Sequence, residues 1–373
     1  MTPLNNNTQA FFALVRAGLW EQDVRLLPYG QIDFNEVYRL AEEQSVVGLV
    51  AAGIEHIKDV KVPQEMALKF AGSALQLEEK NTAMNKFIAV LEDKMREDGI
   101  YAILVKGQGI AQCYERPLWR ACGDIDFLLN DGNYERAVNF MQPLASYHEA
   151  EYKDEKHIGF IINSWVVELH GSLISGLSSR IDRTIDEVQR DVFYGGDVRS
   201  WRNGSTQVFL PGINNDSIFV FTHFLKHFYR GGIGLRQICD WCRLLWTFRE
   251  EINKNQLEKV LRRMKLITEW KAFGALAVDY LGMPSEAMPF YSPDIKWKRK
   301  AESICYFILE VGNFGHNRDN SYYSKYPYIV RKTMSLGRRC SDLWRHARIF
   351  PMNSILYFPN IVYHGLRTVS KGE

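Results

Sequence analysis

A glycine turn followed by two aspartates one residue apart constrains this chain more than any other feature. The stretch 103–129 reads ILVKGQGIAQCYERPLWRACGDIDFLL. Ile103, Leu104 and Val105 form an apolar run suited to a short buried strand, and Gly107 and Gly109 allow the backbone to turn sharply and approach a ligand's phosphates. A short helix to Tyr114 is expected next, followed by a second strand that opens Asp124-Ile125-Asp126-Phe127. Strand side chains alternate between faces, so Asp124 and Asp126 point one way while Ile125 and Phe127 enter the core.

Two carboxylates on one strand face repel unless a cation or a proton neutralises them. Mg²⁺ (or Mn²⁺) is the natural guest, because it takes hard oxygen ligands and usually shares them between a few carboxylates, water and substrate phosphates. Phosphoryl and nucleotidyl transfer use such clusters, in which two ions about 3.5–4 Å apart stabilise the attacking and the leaving oxygen. That chemistry normally needs a third carboxylate. Glu168, the one acidic residue in the strand-like run Ser164-Trp165-Val166-Val167-Glu168-Leu169-His170, is the candidate, and His170 would share its face. The competing readings are a solvated loop for the Asp-x-Asp pair and a strand-end carboxylate in water for Glu168.

The order Lys106-Gly107, Arg120, Asp124-x-Asp126, then a later strand carboxylate resembles the polymerase-β-like nucleotidyltransferase superfamily. Within it the chain is most similar to the bacterial group called uncharacterised nucleotidyltransferases, often found beside polysaccharide or peptide biosynthesis genes. The narrower likeness rests on His223-Phe224-Leu225-Lys226-His227, on Gly234-Leu235-Arg236-Gln237-Ile238-Cys239-Asp240, and on Gly312-Asn313-Phe314-Gly315, so that it runs from about Asn35 to the carboxy terminus. The resemblance implies an α+β fold, with a nucleotidyltransferase-like mixed sheet, flanking helices and helical regions at both ends. It also implies metal ligation and catalysis by Asp124, Asp126 and Glu168, with nucleotide contact by Lys106, Gly107, Gln108, Gly109 and Arg120. The implied reaction moves a nucleoside monophosphate from an NTP to an acceptor hydroxyl on a sugar, small molecule, peptide or protein. Better-known members place Gly-Ser at the turn, where the serine meets phosphate; this chain has Lys106-Gly107-Gln108-Gly109 instead. A lysine there offers a point charge to phosphate. A fold retained for holding a nucleotide or a partner, without catalysis, is the alternative.

His223 and His227 lie four apart on one helical face, as do Arg236 and Asp240. With His170, these are candidates for acceptor or phosphate contact. Core hydrogen bonding is the rival for the histidines, an intrahelical ion pair the rival for Arg236 and Asp240, and a clamp on Asp124 the rival for Arg120.

The 373 residues exceed what one core usually serves, and three regions are expected: helical 1–75, a catalytic core over 76–212, and helical 213–373. Helical periodicity is expected over 8–18, over 34–57 behind an Asp33 cap, over 76–98, over 133–142 up to Pro143, over 214–228 and over 235–249. Strands are expected at 149–153, 157–162, 165–170 and 208–210, with the first three too close for crossover helices and therefore antiparallel. A net charge of +2 lacks the basic footprint of a nucleic-acid binder. Near the end, Arg331, Lys332, Arg338, Arg339, Arg345 and Arg348 alternate with Tyr326, Tyr328, Trp344 and Phe350, which suits either a solvated helix face or weak contact with a membrane surface or polyanion. No apolar run approaches the ~20 residues of a membrane span, and the first residues lack a signal peptide's basic and apolar parts, so a cytoplasmic protein is expected. Cys239 and Cys242 form a C-x-x-C with no second pair to complete a zinc site, and read as buried reduced thiols.

Overall fold

Side-chain caps and glycines set the helix boundaries. Asn5 accepts from the Thr8 amide at 2.8 Å and starts α1 (Asn6–Trp20); Asp33 accepts from the Asn35 amide at 2.9 Å and starts α2 (Phe34–Glu43). The expected single helix over 34–57 is two helices. Ser45 takes a left-handed φ of 57° and the chain restarts as α3 (Val47–Glu55), because the apolar face turns to pack on α1. That packing is close: a Cβ on Gly18 would sit 1.9 Å from the Leu49 carbonyl oxygen, and one on Gly53 2.1 Å from that of Leu14. The 34-residue α4 (Gln64–Glu97) follows and stops at Gly99, φ 65°. The computed structural model describes residues 4–151, 156–315, 317 and 325–359.

β1 (Ile103–Val105), α5 (Gly107–Ala111), β2 (Asp124–Leu128), α6 (Asp131–Met141), β3 (Tyr147–His148), β4 (His157–Ile162) and β5 (Trp165–His170) build a five-stranded sheet in the order β1-β2-β5-β4-β3. β2 and β5 are parallel; the other pairs are antiparallel. Asn163 and Ser164, both at positive φ, make the tight two-residue turn between β4 and β5. The expected strand at 149–153 is shorter and earlier, as β3, and Tyr152 and Lys153 lie outside the described residues.

A helix absent from the expectations, α7 (Ser179–Tyr194), follows, capped by Ser178 and burying Ile181, Ile185, Val188 and Val192 at helical spacing. β6 (Val198–Asn203) and β7 (Thr206–Pro211) then form a separate hairpin that packs on β1. The rest is helical: α8 (Ile213–Arg230), α9 (Leu235–Thr247), α10 (Lys254–Met264), α11 (Ile267–Asp279), α12 (Ile295–Val311), α13 (Tyr328–Ile349) and a last helix over 351–359.

One sheet face is apolar. Ile125, Phe127, Val167, Leu169, Ile158 and Phe160 join Met84, Ile88, Leu91 and Met95 of α4 and Tyr134, Ala137 and Met141 of α6 in one buried cluster. A larger cluster joins the first helices to those after Ile213. It is tied by the Trp20 indole donating to the Leu281 carbonyl at 2.6 Å, and by Arg16 donating to that of Tyr280 at 3.1 Å. The opposite sheet face is left for the polar residues.

Candidate functional site

Register decides which side chains meet. In the parallel pair, Asp126 stands directly beside Glu168, and Asp124 two residues earlier shares their face. Oxygens of Asp124, Asp126 and Glu168 all lie within 4.8 Å of one another, as strand alternation leads one to expect. In the antiparallel pair His157 lies opposite His170 and Gly159 opposite Glu168, so both imidazoles rise on the same face.

The turn after β1 brings a cation to this cluster. Lys106 adopts φ 58°, ψ −144°, which a residue with a side chain occupies at a cost of about 1–3 kcal/mol, and Gly107 follows at φ 40°. The strained turn directs the Lys106 ammonium onto Asp126 Oδ1 at 2.7 Å; His170 Nε2 meets the same oxygen at 2.8 Å and Glu168 Oε2 at 3.4 Å. His157 Nε2 reaches that Glu168 oxygen at 3.2 Å.

Proton affinities follow from these contacts. Repulsion from Asp126, with burial, raises the Asp124 carboxyl above its usual range. Burial opposes ionisation of Asp126, but Lys106 and His170 outweigh it and hold the carboxyl low. Burial likewise disfavours the Glu168 anion, and hydrogen bonds from His157 and His170 prevail, so Glu168 is also held low. For Lys106 and His170 burial disfavours the cation and the neighbouring carboxylates more than restore it, so both are raised. Three carboxylates therefore share Lys106 and His170, with the His157 imidazole against Glu168 beside them.

Two cavities meet at this cluster, and Lys106 and His223 line both. One is lined by Gly107, Arg120, Asp124, Asp126, Arg236 and Asp240 among others. The other, of about 220 Å³, is lined by His157, Glu168, His170, Ser175, Lys226 and His227 among others. Burial and the Lys106 charge press His223 well below the usual imidazole range, and burial with Lys226 and Lys106 brings His227 down to about 3, so both are neutral. His223 of α8 thus borders both cavities, His227 lies with Glu168 on the second, and Arg236 of α9 lies with Asp124 and Asp126 on the first.

Of the turn residues, Lys106 and Gly107 line a cavity. Gln108 is instead turned toward α4, its amide nitrogen donating to Asn81 at 2.8 Å, and Gly109 packs where a Cβ would lie 2.7 Å from Leu210. Arg120 does not clamp Asp124. It is paired with Asp240 through two of its three nitrogens, at 3.0 Å from Nε and 2.6 Å from Nη2, and the Tyr114 hydroxyl donates to the same carboxylate at 2.7 Å. The intrahelical Arg236–Asp240 pair is therefore replaced: Asp240 belongs to Arg120, and Arg236 donates to the Ala121 carbonyl at 2.9 Å. Two guanidinium nitrogens that remain, Arg120 Nη1 and Arg236 Nε, are buried with no hydrogen-bond partner.

His157 was missed by the sequence reading. The two-residue turn at Asn163-Ser164 pairs Ile162 with Trp165, and counting back along both strands sets His157 against His170. Toward the carboxy terminus, Arg345 pairs with Glu310 at 2.9 Å and Phe350 is buried, while Trp344 is 65% exposed. The side chains of Tyr328, Lys332 and Arg339 lie outside the described ones. Cys239 and Cys242 are buried free thiols, and among the described residues no helix is long and apolar enough to cross a membrane.

A family model described as "Uncharacterised nucleotidyltransferase" matches residues 30–282, well over half of the chain, and the chain belongs to that family. The mixed five-stranded sheet with flanking helices accords with a nucleotidyltransferase-like fold. No curated protein and no solved structure matches it.

Proposed function

We propose that this chain transfers a nucleoside monophosphate from an NTP to an acceptor hydroxyl, with Asp124, Asp126 and Glu168 holding Mg²⁺ or Mn²⁺. The observation that carries the reading is the convergence of three carboxylate oxygens within 4.8 Å on one sheet face, beside a glycine turn, in a chain of a nucleotidyltransferase family. The donor set fits a hard divalent ion: all three ligands are carboxylate oxygens gathered on one sheet face. When bound, such ions polarise the phosphate and lower the proton affinity of the attacking hydroxyl.

The chain's own residues supply the rest. Arg120 Nη1 and Arg236 Nε, buried and unpartnered in residues that line the carboxylate cavity, offer donors to phosphate oxygens. Lys106 adds a point charge at the same wall. The acceptor oxygen attacks the α-phosphorus as pyrophosphate leaves, and the hydroxyl proton passes to a carboxylate. Asp124, with its raised proton affinity, suits that task better than Glu168, whose affinity is depressed by its two histidines.

A second reading is favoured by one contact. The Lys106 ammonium sits on Asp126 at 2.7 Å, on a carboxylate that the first reading gives to a cation, which suits a protein that holds a nucleotide without reacting it. The test uses the full chain with Mg²⁺ and each α-labelled NTP, measuring pyrophosphate release and label transfer to candidate acceptors. Release that disappears in Asp124→Asn supports the enzyme. Nucleotide binding with no release for any NTP supports the silent reading, and no binding at all removes both.

A further inference from the structure

We propose that His157, Glu168 and His170 form a separate site for a borderline-soft first-row cation such as Zn²⁺, next to the carboxylate cluster and sharing Glu168 with it. The three residues present one ligand atom each within 4.8 Å. The two Nε2 atoms converge on a single oxygen, Glu168 Oε2, at 3.2 and 3.4 Å. Those separations match the edge of a tetrahedron with bonds of about 2.0–2.1 Å, which is roughly 3.3–3.4 Å. The fold holds the histidines together independently of any ion. They are register partners across β4 and β5, and their rings stack with centroids 4.7 Å apart and planes at 27°.

Ligand type separates this site from its neighbour. Imidazole nitrogen suits Zn²⁺, Co²⁺ or Fe²⁺ far better than Mg²⁺, which keeps oxygen ligands. Three protein ligands leave a coordination position open, as in sites that bind water or substrate rather than only brace a fold. The three residues line the cavity of about 220 Å³, whose other walls carry Ser175, His223 and Lys226, so the open position has room for a polar ligand. Glu168 has two oxygens and can give one to each site. The inference does not require nucleotidyl transfer; the two sites share Glu168, and His170 Nε2 would exchange its 2.8 Å contact with Asp126 for the cation.

Co²⁺ is the probe. The metal-stripped full chain should take up one equivalent that excess Mg²⁺ does not displace, with visible d–d absorption and paramagnetically shifted imidazole N–H resonances. His157→Gln should weaken Co²⁺ binding by more than about 100-fold, since loss of an outer-shell partner alone costs 10–100-fold. Asp124→Asn should keep the Co²⁺ spectrum while losing Mn²⁺ at the carboxylates, and that arm fails separately from this one. Co²⁺ displaced by Mg²⁺, or lost in Asp124→Asn and kept in His157→Gln, would mean that the histidines only hydrogen-bond Glu168. Should His157→Gln not fold, the wild-type imidazole resonances decide: their absence overturns the site.

Discussion

Two buried charge clusters border the same cavity and are built to opposite plans. At Arg120 and Asp240, one planar guanidinium meets one carboxylate through two parallel bonds, and Tyr114 adds a third. Charge is balanced there, and geometry is fixed by the fork. At Lys106 and Asp126 the cation is a point charge on a strained turn, its carboxylate is shared with His170, and two further carboxylates stand beside it. The first cluster is closed in charge, with Arg120 Nη1 left over, and ties helix α9 to the segment before β2. The second gathers three carboxylates around that point charge and opens on a cavity, an arrangement that leaves oxygens for a further ligand. A buried charge is thus informative by its balance more than by its burial.

The largest effect expected from breaking this contrast is on ligand binding at the open cluster. Asp126→Asn should weaken Mg²⁺-dependent NTP binding by more than about 100-fold, because a hard-ion ligand worth several kcal/mol is removed. Calorimetry with Mg²⁺ and NTP reads this, and unchanged affinity would remove Asp126 from the ligand set. Its melting temperature should shift less than that of the next variant, since Lys106 keeps Asp124 and Glu168 nearby.

At the closed cluster the order reverses. Asp240→Asn leaves the Arg120 guanidinium, which is 5% exposed, without its counter-charge, and should cost about 3–5 kcal/mol in denaturant unfolding. A loss below ~1 kcal/mol would mean that Arg120 finds another anion, and the closed description would fail.

Glu92 in α4 sharpens the comparison as a third, poorly paired case. Its carboxylate is 1% exposed, Arg96 reaches one oxygen at 3.2 Å, and the other has no partner. Burial outweighs Arg96 and pushes its pKa up to about 7 from 4.5. The folded state therefore holds the proton more tightly than the unfolded chain. This residue costs nothing below about pH 4.5, and the cost grows as pH rises through about 7, approaching roughly 3 kcal/mol. Glu92→Gln should remove that slope, so the variant should gain on the wild type between pH 5 and 8 when unfolding curves are compared. Parallel curves would show that Arg96 balances the charge after all.

The smallest effect is expected at Arg236, which makes one bond to the Ala121 carbonyl and keeps a buried Nε unpaired. Arg236→Ala should weaken NTP binding by about 1.5–3 kcal/mol, the worth of a hydrogen bond to a charged group, with a smaller stability loss. Normal binding would leave the phosphate role of this cavity wall to Arg120 and Lys106.

Much of the carboxylate cluster was legible because its information is local. The two-residue strand period alone puts Asp124 with Asp126 and Glu168 with His170, and the turn after β1 reveals itself through Gly107. Where the reading failed, the missing information was of two kinds. Helix α7 was overlooked although Ile181, Ile185, Val188 and Val192 carry its helical spacing, and the helix over 34–57 was read as continuous because nothing in a periodic run announces the left-handed Ser45. Nucleotide contact by Gln108 and Gly109 is what the resemblance implies, and only the fold shows that the short helix holding them turns the Gln108 side chain toward Asn81 and packs Gly109 against Leu210.

What the sequence determined by itself is the set of faces: which residues of a strand or helix point together, and therefore which could act together. Tertiary structure decided the partners. That Glu168 stands beside Asp126, that His157 rises against His170, and that Arg120 takes Asp240 from Arg236 all depend on strand register and helix docking between segments up to 120 residues apart. The physical reason is range. Backbone geometry fixes direction within a few residues, while the choice among competing charges is made by burial and distance, which exist only once the chain has folded.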